Sequence, residues 1–232
     1  MLKTSVQNDF WLFGYGSLIW KPPPHFDQRV PGYIEGYVRR FWQVYHRGTP
    51  EAPGRVATLI DRAHWETLTD HHSAPAEKVW GAAYHIPSEK VAEVRAYLDI
   101  REINGYSIQY TPFHPGAAAG PSSKPIHCLV YIGLPDNPQF LGPQDPQKLA
   151  EHIVRSRGPS GENKEYLYML ETALLELGPD SGDDHIFDLA RRCRDVEAKR
   201  NVNRESTKEE RDPGHRLHKV GSTEEQEEVE KT

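Results

Sequence analysis

WLFGYGSLIW, residues 11–20, is the stretch on which the organisation of the chain turns. Trp11-Leu12-Phe13 is an apolar run of the kind that fills a buried strand. Gly14 and Gly16 bracket Tyr15, so the backbone there turns sharply and can approach a neighbour closely. Leu18-Ile19-Trp20 resumes the apolar character, and Pro22-Pro23-Pro24 closes the unit. A strand that opens into a glycine loop leaves N–H groups without ladder partners, and such groups can line an anion-binding nest. A plain tight turn between two apolar segments is the alternative reading of the same residues.

Working outward, Val30 to Tyr45 alternates apolar and polar residues and predicts one or two strands broken at Gly36. Arg55 to Ile60, Val79 to Pro87, Tyr106 to Phe113 and Ile126 to Leu134 predict further strands, the last lying in the sheet interior. Asp61 to Lys78 has little periodicity and reads as a loop or ragged helix, and His114 to Pro125 reads as a loop. Helical spacing appears in four places. Ser88 is a candidate N-cap for a helix over 89–101, with Val91, Val94 and Leu98 on one face. A helix from Asp145 carries Leu149, Ile153 and Val154 and is expected to stop at Gly158. Helices over 163–177 and from about Asp183 follow, the latter turning Ile186, Leu189, Ala190 and Cys193 inward. Strands first and helices last indicate an α+β fold with a curved or closed mixed sheet and flanking helices. The expected arrangement is one domain over 9–200 and a charged tail over 201–232. Apolar residues nearly vanish from that tail, so it is expected to be disordered.

The 232 residues carry a net charge of -6, which offers no basic field to a nucleic acid or an acidic membrane. Cys128 and Cys193 form neither a disulfide framework nor a zinc spacing. No apolar run approaches the ~20 residues that span a bilayer, and the N-terminus lacks a signal-peptide core. These features predict a soluble cytoplasmic protein.

Glu102 is the carboxylate that stands out. It falls four residues past Leu98, so the apolar stripe of its helix ends on an acid. Burial and the negative helix terminus both favour its protonated form, which suits general acid–base work near neutral pH. Neutralisation by Arg101 or another cation as a structural pair is the competing reading. Arg47 and Arg55 flank glycine and proline turns where a guanidinium can clamp a carboxylate, although solvated arginines are commoner. Tyr166 can point its hydroxyl into a cleft or lie in the core. His71-His72 and Asp183-Asp184-His185 read as solvated loop and helix-start residues, with no metal site. No G-x-S-x-G elbow, phosphate loop or dinucleotide fingerprint is present.

FGYGSLIW at 13–20, RRFWQVYHRGTPEAPGRVATLI at 39–60, VRAYLDIREINGY at 94–106 and GPSGENKEYL at 158–167 together resemble the ChaC family of γ-glutamylcyclotransferases. The resemblance implies a barrel-centred cyclotransferase fold and a cofactor-free, metal-free reaction on glutathione as small-molecule substrate. It implies that Tyr15, Gly16, Ser17 and Leu18 hold the γ-glutamyl group and that Glu102 is catalytic. Arg47, Arg55 and Tyr166 lie in matching segments and are assigned to substrate binding. Residues 61–78 and 114–125 depart from the family pattern. The competing functions are cyclotransfer on other γ-glutamyl amino acids or γ-glutamylamines, and a non-catalytic γ-glutamyl-binding module. Oligomeric state is not legible in the sequence.

Overall fold

The computed structural model describes residues 10–45, 47–72, 75–101, 106–116 and 124–209. The apolar run of the opening stretch is strand β1 (Phe10–Gly14). It is followed by β2 (Gln28–Glu35), β3 (Tyr37–Tyr45) and β4 (Gly54–Asp61). Gly36, at φ +84°, makes the break between β2 and β3 that its lack of a Cβ permits. A single turn, α1 (Arg62–Trp65), starts on Asp61, whose carboxylate accepts the N–H groups of Ala63 and His64. Then come β5 (Lys78–Ile86), α2 (Val91–Arg101), β6 (Tyr106–Pro115) and β7 (Ile126–Gly133). The chain continues with α3 (Pro146–Arg155), the short pair β8 (Arg157–Gly158) and β9 (Gly161–Glu162), α4 (Asn163–Leu177) and α5 (Asp184–Glu209).

Five strands close into a barrel in the order β1-β5-β2-β6-β7, while β3 and β4 pair as a separate antiparallel sheet. Closure is made by the parallel contact of β1 with β7 at Leu12 and Leu129. Alternation puts one set of side chains inside: Phe13, Ile34, Val79, Ala83, Phe113, Cys128 and Val130 come from all five barrel strands and form one cluster. The phenylalanines meet at 5.6 Å. Gly32 and Gly81 face each other across β2 and β5, and a methyl on either would lie within 2.5–2.7 Å of a phenylalanine ring. The opposite face, with Leu12, Tyr84 and Leu129, is covered by α2, α3, α4 and α5 through Val94, Leu98, Ile153, Leu170, Leu174 and Ile186. The curved mixed sheet with flanking helices expected from strand and helix order is what the chain forms.

Several boundaries differ from expectation. Ser88 does not cap α2: a 3-10 turn, Ser88–Lys90, precedes the helix with Pro87 at its cap, and the Ser88 hydroxyl bonds to Glu89. Helix α3 stops at Arg155 rather than Gly158, because Gly158 belongs to the β8–β9 pair. Strand β6 runs on through His114 and Pro115, which had read as loop. The chain divides into two units between Glu197 and Ala198. In the second unit residues 198–209 are helical, where disorder from 201 was expected. Those residues include no glycine or proline, the two types that stop a helix most strongly. Residues 210–232 lie outside the described residues.

Candidate active site

The glycine loop sits at the seam between the barrel-interior cluster and the cluster beneath the helices. After Gly14 the chain reverses through Tyr15 and Gly16 into a 3-10 turn, Ser17–Ile19. Tyr15 joins the barrel-interior cluster, whereas Leu18 and Ile19 join the cluster beneath the helices. The N–H of Ile19 donates to Gly16 O at 2.9 Å and that of Lys21 to Ser17 O at 2.8 Å. From β5 the buried Tyr84 hydroxyl donates to Leu18 O at 2.7 Å and accepts from Arg29 Nε at 3.4 Å. Burial raises the pKa of that hydroxyl, so it stays protonated and remains a donor.

Tyr166 stands in the first turn of α4 and is buried, its ring edge-on to Trp20 at 5.3 Å and to Phe41 at 5.7 Å. It closes against the loop: a methyl at Gly16 would sit 2.9 Å from the Tyr166 hydroxyl oxygen. The start of α4 is built by a capping box between Glu162 and Glu165. Arg47 Nη1 donates to Glu162 O at 2.8 Å and reaches Glu165 at 3.4 Å. Asn163, fully buried, accepts the Arg55 N–H and donates to Arg55 O, both at 2.7 Å. The Arg55 guanidinium bonds Pro53 O at 2.5 Å and Gln144 at 3.3 Å. Its pKa is lowered, by burial first and then by repulsion from Arg155. Arg47 is buried and Arg55 is half-buried, so neither is the solvated arginine that is usual for the type.

The fold therefore brings the Tyr15–Leu18 loop and Tyr166 into contact and places Arg47 and Arg55 at the same end of α4. Glu102 lies outside the described residues; α2 ends at Arg101. The buried face of α2, Val94 and Leu98, belongs to the same cluster as Leu18 and Tyr166. Tyr84, Asn163 and Trp20 escaped the sequence reading. Tyr84 sits in an apolar strand, where a hydroxyl reads as one more core residue. Asn163 opens a helix just after a Gly-Pro-Ser-Gly turn, a position at which polar residues are routine. The Trp20 indole N–H is buried and has no hydrogen-bond partner among the described residues.

His185 corrects the sequence reading more sharply. It was expected in solvent, but it is buried between β3 and α5, and its pKa is held well below the ordinary imidazole range by burial and by Arg40. Among the described residues, no group of three or more His, Cys, Asp or Glu is placed to hold a metal ion. Cys128 and Cys193 are free, buried thiols whose pKa values burial pushes up to about 12. No helix of the described residues is long and apolar enough to cross a membrane.

Comparison with known proteins gives one consistent picture. A family model described as ChaC-like protein matches residues 10–196. The chain is 43% identical over 193 residues to the glutathione-specific gamma-glutamylcyclotransferase of Schizosaccharomyces pombe, covering 82% of this chain and 94% of that protein. It is 37% identical over 180 residues to glutathione-specific gamma-glutamylcyclotransferase 1 of Homo sapiens, covering 76% and 74%. A crystal structure of the glutathione-specific enzyme from yeast superposes with a TM-score of 0.73 at 35% identity, covering 81% of this chain and 96% of that one.

Proposed function

The chain belongs to the ChaC-like family, and from that premise we propose that it is a cytoplasmic γ-glutamylcyclotransferase that cleaves glutathione to 5-oxoproline and cysteinylglycine. The observation that carries this reading is the contact of the Gly16 loop with Tyr166, supported by relatives named for that activity, matched over 94% of the Schizosaccharomyces pombe protein and 74% of the human one. In this reading the domain spans 9–200, and Tyr15, Gly16, Ser17 and Leu18 hold the γ-glutamyl group against the Tyr166 hydroxyl. Arg47 and Arg55 act from the α4 end, where they attract the substrate's carboxylates and fix the loop framework.

The substrate carries its own nucleophile. Its α-amine lies a few bonds from the γ-carbonyl, so ring closure is intramolecular and the protein chiefly fixes the reactive conformer. Glu102 takes a proton from the α-ammonium, and the freed lone pair attacks the γ-carbonyl carbon. Backbone amides of the glycine loop hold the oxyanion that develops. The attacking nitrogen gives up a second proton as the γ-amide C–N bond breaks, and Glu102 relays both protons to the departing amine, which leaves as the ammonium of cysteinylglycine. One C–N bond forms, one breaks, and no proton is gained or lost.

The test is mass-spectrometric detection of 5-oxoproline after incubation of purified protein with glutathione, with chelator present and γ-glutamyl-alanine as comparison. Glu102→Gln should lower turnover at least ~100-fold with the fold intact. Release of 5-oxoproline from γ-glutamyl-alanine but not from glutathione would reject the substrate assignment. Unchanged turnover in Glu102→Gln would reject the catalytic residue.

A further inference from the structure

Strand β3 carries an irregularity that the pairing makes explicit. Arg40 faces Thr58 and Gln43 faces Val56, so Phe41 and Trp42 together oppose Ala57 alone. This is a β-bulge, which leaves an N–H out of the ladder and re-aims a side chain. Both consequences are visible. Phe41 and Trp42 are each buried but in different clusters, and the Phe41 ring lies edge-on to Tyr166. The displaced Phe41 N–H donates to His185 Nε2 at 3.1 Å.

That bond fixes a chain of tautomers. His185 Nε2 accepts, so a neutral His185 carries its proton on Nδ1 and donates it to His72 Nδ1 at 3.2 Å. His72 then carries its proton on Nε2, which donates to Asp188 at 3.1 Å. The peptide of His72 is held in turn, since Arg40 donates to His72 O at 2.9 Å and Asp70 accepts the His72 N–H at 3.1 Å. A proton added to either ring turns an acceptor nitrogen into a donor and breaks a link.

We propose that His185 is a positioning residue of the site: with His72 it stitches the bulge that seats Phe41 behind Tyr166, and it does so only while both imidazoles are neutral. The charged surroundings come from every element packed on the pair. They are Arg39 and Arg40 of β3, Asp70 of the connection after α1, Lys78 of β5, Asp183 just before α5, and Asp184, Asp188, Arg191 and Arg192 of α5. Arg39 pairs with Asp183 at 3.2 Å, Arg40 pairs with Asp70 at 2.6 Å, and Asp188 takes Arg192 at 2.6 Å. Asp70, Asp183 and Asp188 are thus already engaged by arginines, and Arg40 and Arg39 oppose a further positive charge on His185. His72 lies in the 61–78 segment that departs from the family pattern.

The activity arm rests on the cyclotransferase reading; the spectroscopic arm does not. In the full chain, His185→Leu leaves the Phe41 N–H unsatisfied and should lower kcat for 5-oxoproline release about tenfold at pH 7.5, with KM little changed. His185→Gln retains an acceptor and takes no proton. It should recover most of kcat and hold it to lower pH than the natural chain, whose kcat falls once acid protonates His185. A folded His185→Leu protein with full kcat, or superimposable pH profiles for the natural and Gln chains, overturns the proposal. Nitrogen-15 NMR of the imidazoles should show His185 Nε2 unprotonated at pH 7 and the Tyr166 ring resonances moving as that nitrogen takes a proton in acid. A protonated Nε2 at pH 7, or Tyr166 resonances that ignore its protonation in acid, also overturns it. If the natural chain releases no 5-oxoproline, the function is wrong and NMR alone decides the positioning claim.

Discussion

Gly16→Ala isolates the contact on which the site depends. The added methyl would stand 2.9 Å from the Tyr166 hydroxyl oxygen, whereas ordinary van der Waals contact begins at 3.4 Å, so the two groups must separate by about 0.5 Å. The ring has little room to yield, because Trp20 and Phe41 pack against it at 5.3 and 5.7 Å. Overpacking of this kind costs ~1–3 kcal/mol, or a melting shift of roughly 3–10 °C for a chain of this size. Misplacement of a reacting group by ~1 Å costs ~100-fold in rate, so half that displacement should lower kcat/KM about tenfold. The assay is a double-mutant cycle with Tyr166→Phe, read by 5-oxoproline release and thermal melting. Removing the hydroxyl removes the clash, so Gly16→Ala should cost much less in the Phe background than in the natural one. Additive effects, or a Gly16→Ala protein with natural kcat/KM, would refute the steric reasoning.

Asn163→Ala removes both bonds to the Arg55 backbone and leaves buried groups unsatisfied, which should cost ~2–4 kcal/mol in urea denaturation. Phe13→Ala opens the barrel interior and should cost ~3–5 kcal/mol by the same measurement, with KM for glutathione little affected in whatever fraction remains folded. His185 has a folded-state pKa below its unfolded value, so its contribution is fully present above the unfolded value near 6.5 and is lost as pH falls. Denaturation midpoints measured from pH 7.5 down to 5.5 should therefore decline, with a slope of up to ~1.4 kcal/mol per pH unit, and His185→Gln should flatten that decline.

Period and punctuation carried much of the fold into view. The stretch from Asn163 to Leu177 begins after a glycine turn and ends at Gly178, and the helix does the same. The stripe Val91, Val94 and Leu98 packs as its spacing required, with Val94 and Leu98 fully buried. Closure of the sheet was harder to see, because it rests on a parallel meeting of β1 with β7 that no local pattern encodes. The glycine loop declared itself through Gly14 and Gly16, but its partner Tyr84, and Asn163 on the Arg55 backbone, are ordinary polar residues whose roles arise only from long-range pairing. His185 was misjudged for a related reason. Three polar residues in a row look solvated, yet an unpaired amide 144 positions earlier draws this one inward.

The packing of Phe13 against Phe113 over the facing glycines Gly32 and Gly81 has a bearing on evolvability. A lumen already filled by aromatic rings has no space for a guest, so a ligand must be met at the rim, on loops and helix ends. Drift inside the barrel then alters how much folded protein a cell maintains. Drift at the rim alters which molecules are recognised, and the two can be selected separately.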